Sequence, residues 1–161
     1  MNVDIQLIRK NPNWLNDLKM KLLGQTTTEV AIGFPKGQNS ANAHYKNGQS
    51  ILNVAIMNNF GTDTIPRRPF MEQSAPKLQE MWKKLQEKEQ KNIQQGTTTI
   101  EAVMKTASVL GVAIVQQEIS AGDFAPNAPE TIKQKKSDKP LIDSGDMRKY
   151  VAGVVRQKGG L

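Results

Sequence analysis

The residues best equipped for chemistry in this chain are few, and they do not gather. His44 is the single histidine, and there is no cysteine. A disulfide scaffold, a thiolate nucleophile and a thiolate metal site are thereby excluded. His44 lies in a polar stretch far from any carboxylate pair, which is where an exposed loop histidine sits. Asp138, Asp143 and Asp146 are the one acidic grouping, and lysines alternate with them. Turn and capping roles suit these aspartates better than a cation site. Ser144-Gly145 falls in a turn, with no histidine base to activate the hydroxyl. No Gly-Lys-Ser/Thr phosphate loop and no Gly-x-Ser-x-Gly elbow occurs. The chain does not read as an enzyme, and no cofactor or metal is expected.

The arginine pair Arg67-Arg68 carries a stronger signal. It belongs to an elbow, Phe60-Gly61-Thr62-Asp63-Thr64-Ile65-Pro66-Arg67-Arg68-Pro69-Phe70. Ordinary connections are short and polar. One containing two aromatics, two pairs of special residue types and an apolar isoleucine either is held in one shape or holds a partner. Pro66 and Pro69 keep the pair extended. Two roles stay open for the guanidinium groups. They can pin helix C-terminal carbonyls or a carboxylate within the subunit, or reach across an interface between subunits.

Charge points to a third possibility. The net charge is +7, and residues 131–161 hold eight Lys or Arg against three Asp. Lys133, Lys135, Lys136 and Lys139 can meet phosphates or an acidic protein surface; a solvated tail has the same composition. Aromatics make up only 5% of the chain and are not interleaved with the basic residues, so no base-stacking platform is evident.

The elements around these residues follow from pattern. Asn11-Pro12 starts a helix carrying Leu15, Leu18 and Leu22, which Gly24 stops. Val30, Ile32 and Phe34 alternate, predicting a strand over 28–35. Residues 36–50 lack an apolar period and read as a long mobile loop. Ile51, Leu52, Ala55 and Ile56 mark a short helix. After the elbow, Ser74 caps a helix over 76–95, with Pro76 in its first turn and Leu78, Met81, Trp82 and Leu85 on one stripe. Thr98-x-x-Glu101 opens a strongly apolar helix, with Ile100, Val103, Met104, Ala107, Leu110 and Ile114 on one face. Prolines 126, 129 and 140 make 123–140 an extended excursion. Asp143 or Ser144 caps a turn of helix at 146–148, and valine-rich 149–157 closes as a strand.

The chain is thus expected to form a single α+β domain over 1–161: a small antiparallel sheet packed against long helices, with an extended loop and a C-terminal arm. Only 37% of the residues are hydrophobic, so the core is lean. No apolar run approaches the roughly 18–20 residues of a membrane helix, and no secretory signal opens the chain.

Two blocks of residues resemble a known family. Val54-Ala55-x-x-x-Asn58-x-Phe60-Gly61-Thr62 with Ile65-Pro66-x-Arg68-Pro69-Phe70 is the first; Pro140-Leu141-Ile142-Asp143-Ser144-Gly145-x-Met147 is the second. Together they resemble the neck or tail-completion proteins of tailed bacteriophages, which include the Mu-like virion morphogenesis proteins. The family's second block reads Pro-Leu-Ile-Asp-Thr-Gly-x-Leu, so Ser144 stands here for a common Thr. The resemblance implies a structural virion protein at the head–tail junction, assembled in the host bacterial cytoplasm. It implies a ring of identical subunits, contacts with neighbouring neck and tail proteins, and no membrane partner. Phe60, Gly61, Thr62, Ile65, Pro66, Arg67, Arg68, Pro69, Phe70 and Leu141, Ile142, Asp143, Ser144, Gly145 become the assembly candidates. The competing reading is a small basic protein that binds DNA through its C-terminal arm.

Overall fold

The computed structural model describes residues 28–35, 38–135 and 138–157. The expected helix at 11–24 lies outside them. By its contacts the chain forms two units. Among the described residues the smaller unit holds 28–29 and 156–157, where Arg156 Nε donates to Glu29 Oε1 at 2.8 Å. The larger unit runs from Val30 to Val155.

The element order is β1 (Thr28–Gly33), α1 (Ile51–Phe60), α2 (Phe70–Gln94), α3 (Ile100–Ala121), α4 (Pro129–Lys135), α5 (Asp146–Lys149) and β2 (Ala152–Gln157). β1 and β2 pair as a two-stranded antiparallel sheet, as expected for an α+β chain. Among the described residues, no helix is long and apolar enough to cross a membrane.

The centre of the larger unit is the α2–α3 pair. Lys77 near the start of α2 meets Glu118 near the end of α3, while Leu85 shares a cluster with Val103 and Ala107. The two helices are therefore antiparallel. The buried side of α3 is Val103, Met104, Ala107, Ser108, Gly111, Val115, Glu118 and Ile119. Small residues at 107, 108 and 111 let neighbours come close: a side chain at 111 would strike Ile32 and Leu78. Leu110, expected on the buried face, is 42% exposed, because the stripe follows these small residues rather than the largest apolar ones. A second cluster gathers Ile51, Ala55, Phe70, Val115, Ile119, Leu141, Met147 and Val151, joining α1, α2, α3 and α5. Phe70 is 1% exposed, and its burial alone contributes roughly 1.5–3 kcal/mol.

Several expectations are corrected. α2 begins at Phe70, not beyond Ser74; Ser74 is buried inside the helix and donates back to the Phe70 carbonyl at 2.7 Å. Pro76 is likewise inside the helix. The local cap was not needed, because the side chain of Asn59 supplies one: its Oδ1 accepts from Met71 N at 3.1 Å. α3 is capped by Thr99, whose hydroxyl accepts from Ala102 N, one residue later than the Thr98 pattern suggested. Residues 129–135 are helical within the expected extended excursion, since Pro129 occupies the first helical position, where its missing N–H costs nothing. At α5 the cap position falls to Gly145, with no side-chain cap from Asp143 or Ser144.

Residues 38–50 also fold more than expected. A 3₁₀ turn spans Asn39–Asn42, and His44 bridges Ser50. Tyr45 N donates to Gln49 O at 2.9 Å, and Ile51 N to Ala43 O at 3.0 Å. Ala43 is buried, and Tyr45 packs against the second cluster. Ser50 then caps α1, accepting from Asn53 N.

Two tests follow from this packing. A Cβ at Gly153 would lie 2.8 Å from the Ser108 carbonyl oxygen and 3.0 Å from Val112. Backbone cannot give way there, so Gly153→Ala should destabilise by about 1–3 kcal/mol in urea unfolding. Burial pushes the Tyr45 phenol up to about 12, helped by Asp146 and Asp143. The unfolded phenol ionises near 10, so its stabilising contribution is whole below that pH and is lost as pH rises towards about 12. Alkaline unfolding of Tyr45→Phe should lack that component.

Candidate functional site

The elbow opens at Gly61, which ends α1 with φ +78° and donates its N–H to Met57 O. A Cβ here would stand 3.1 Å from Arg67 N, so both the backbone angle and the space require glycine. The chain then turns on Thr62. Its N–H donates to Ile65 O at 2.9 Å, and its Oγ1 accepts from Ile65 N at 3.0 Å and Thr64 N at 3.3 Å. At Pro69 (φ −79°, ψ 61°) the chain turns into α2, with Phe70 N donating to Arg68 O at 2.8 Å.

Adjacent arginines diverge. Arg67 is exposed and donates to Glu72 Oε1 at 3.2 Å. Slight burial opposes ionisation of Glu72, but its own backbone amide, Asn59 and Arg67 outweigh that and hold its carboxyl below the usual range. Asn59 Nδ2 donates to the same carboxylate oxygen at 3.2 Å.

Arg68 turns inward and is 4% exposed. Its Nε donates to Ala125 O at 2.8 Å, and Nη1 to Asn58 Oδ1 at 2.7 Å. Nη2 donates to Pro126 O at 3.1 Å and Asn127 Oδ1 at 3.2 Å. Its backbone N–H donates to Asn58 O at 2.7 Å. Every one of these acceptors is neutral. Burial lowers the pKa of the group from its ordinary value, and the fan of oxygens supplies what water would have given. The guanidinium is thus pinned within its own chain, but its acceptors are the Ala125 and Pro126 carbonyls beyond the end of α3 and the side-chain amides of Asn58 and Asn127, not helix C-terminal carbonyls or a carboxylate.

The second sequence block reaches the same place. Asn127 Nδ2 donates to Lys139 O at 3.2 Å, directly before Pro140. Leu141 is buried in the cluster that holds Ile51, Ala55 and Phe70, with Ile142 packed against it. Asp143 and Ser144 are exposed, and Ser144 Oγ donates to Asp146 Oδ2 at 2.6 Å. The elbow and the 140–147 block therefore converge through Arg68, Asn127 and one apolar cluster.

What remains at the surface is narrower than the sequence suggested. Phe60 is 66% exposed and Ile56, one turn earlier on α1, is 45% exposed. Thr62 and Pro66 are exposed, Ile65 and Pro69 half-buried. On α3, Val109 is 70% exposed beside Leu110. The lysines do not form one array. Lys133 is exposed on α4, while Lys135 is half-buried. Burial pulls the Lys135 pKa down, Asp143 opposes this, and Arg68 adds to the lowering. Lys139 is exposed, and Lys136 lies outside the described residues. Among the described residues no cluster of three His, Cys, Asp or Glu could hold a metal ion. Sequence reasoning missed Asn59 and Asn127 altogether and quoted Asn58 only within the resemblance.

Removing the guanidinium strands several buried acceptors at once. Arg68→Ala should cost about 3 kcal/mol in chemical denaturation. Arg68→Lys keeps the charge but loses the fork, and should fall between wild type and Ala. Arg67→Ala removes an exposed pair and should change stability by less than about 1 kcal/mol.

Compared with known proteins, the chain matches no family model, no curated protein and no solved structure.

Proposed function

We propose that this chain is a structural protein of a tailed-bacteriophage virion, forming a ring at the head–tail junction and acting by assembly, with no bond made or broken. The observation that carries this reading is Phe60. A large aromatic ring is left 66% exposed, beside Ile56, at the end of a helix, and the elbow that follows is tied by hydrogen bonds at Gly61, Thr62, Ile65, Arg68 and Phe70. An exposed anchor on a rigid support is what binding surfaces use, because little entropy is lost on docking. The resemblance of the two sequence blocks to neck and tail-completion proteins supplies the biological setting.

A ring of identical subunits needs two different, complementary surfaces on each copy. Ile56 and Phe60 on α1 offer one; Val109 and Leu110 on α3 offer the other. These are large apolar side chains exposed in pairs on separate helices. The remaining elbow residues hold the first surface in place.

The test pairs two variants. Phe60→Asp and Val109→Asp should each keep wild-type thermal stability, since both sites are exposed, yet neither should form rings or enter particles. Mixed together, the two retain one intact surface each and should form a heterodimer in sedimentation velocity. Particles purified from infected cells should contain the wild-type chain at the junction by cryo-electron microscopy. Its absence from such particles overturns the reading. Salt-dependent binding of the isolated protein to duplex DNA would favour the nucleic-acid alternative instead.

A further inference from the structure

One side chain closes the neck of a surface loop. Asn127 Nδ2 donates to Lys139 O at 3.2 Å, and Asn127 Oδ1 accepts from Arg68 at 3.2 Å. Asn127 itself is 7% exposed. Within the loop the situation reverses. α4 contains no buried residue. Among the described residues, no hydrogen bond or ion pair joins an α4 side chain to the rest of the protein. Thr131, Ile132 and Lys135 are half-buried, and Lys135 lies close enough to Asp143 and Arg68 to feel their charge. Seven residues are too few for a helix to be stable by itself in water.

Free energy of local opening tracks buried apolar contact and protected hydrogen bonds. In this loop the buried hydrogen bonds are concentrated at the neck. We infer that residues 128–135 open as a unit while the body of the protein stays folded, and that the Arg68–Asn127 clasp sets how often they do so. Opening breaks the two Asn127 bonds and lifts Thr131, Ile132 and Lys135 into solvent. It leaves Arg68 still bonded to Ala125 O, Pro126 O and Asn58, so the elbow keeps its shape. The protein thus carries an arm that can be released without disturbing α2 and α3. This inference is independent of the ring reading.

Limited trypsin digestion of the full chain under native conditions tests it. Lys133 and Lys135 lie within the segment, whereas Lys139 precedes proline and resists cleavage. Asn127→Ala should raise the rate of cleavage after Lys133 and Lys135 roughly tenfold, the worth of one to two hydrogen bonds. Hydrogen exchange of amides 103–119 in the same sample should not change. An unchanged cleavage rate overturns the inference, and so does a rise matched by faster exchange in α3. The wild-type chain gives a second measure that needs no variant. In low urea, cleavage in the segment should depend only weakly on denaturant, because a local opening exposes little surface. A dependence as steep as that of α3 exchange would mean that the segment opens only with the whole protein, and would overturn the inference as well.

Discussion

A guanidinium taken out of water must recover its hydration from the protein, and at Arg68 it does so without a carboxylate. Four oxygens from two separate stretches of chain receive its donors: Asn58 near the end of α1, and the consecutive residues Ala125, Pro126 and Asn127 after α3. Neutral acceptors have a structural advantage here. A single carboxylate would take two donors and bind one partner. Dipoles taken singly let one planar group tie two remote segments to its own. The arrangement also makes the position intolerant, because any shorter side chain leaves several oxygens buried with no donor.

The same economy governs the start of α2. Helix N-termini leave amide groups without intrahelical partners, and the usual remedy is a local Ser, Thr, Asp or Asn. Here Asn59 does that work from the preceding helix. Its Oδ1 caps Met71 N, while its Nδ2 holds Glu72, an acid placed where the helix dipole favours it. Asn58 and Asn59 therefore act in opposite directions, one on the buried arginine and one on the next helix. Between them the elbow has little freedom. Its rigidity comes from Thr62 and Arg68 within it and from partners outside it, Asn58, Asn59 and residues 125–127.

Much of the fold could be read from the sequence where a single element decides the matter. Val30 and Ile32 alternate in a strand that is half-buried, and the periodic apolar residues of 51–60 and 100–121 mark real helices. Failures occurred where the deciding partner was remote. The true start of α2 depends on Asn59, twelve residues away from Met71. Residues 38–50 owe their order to a bridge between His44 and Ser50 and to contact with the core, neither of which leaves a period. The helix at 129–135 was obscured by reading Pro129 as a breaker when it sits at the one helical position that suits proline. At the site, Arg68 was visible as a candidate with two roles. Its partner Asn127, 59 residues distant, was not, because no local pattern couples positions so far apart.

Neighbours in the elbow serve opposite ends. Phe70 is in the core and Phe60 is in solvent; Arg68 is enclosed and Arg67 is free to trade its partner for water. Of the recognisable residues, Gly61, Arg68, Phe70, Leu141 and Met147 answer to backbone geometry, charge burial and packing. A sequence block dominated by such residues specifies a scaffold. Function on a scaffold lives in the side chains that the scaffold leaves over. In this chain the large apolar side chains left over are Phe60 and Ile56 on α1 and Val109 and Leu110 on α3, and the first pair stands on the helix tied to the buried arginine through Asn58. The proposed assembly role rests on that placement: the interior of the elbow fixes a direction, and the exposed aromatic at its edge is what is pointed.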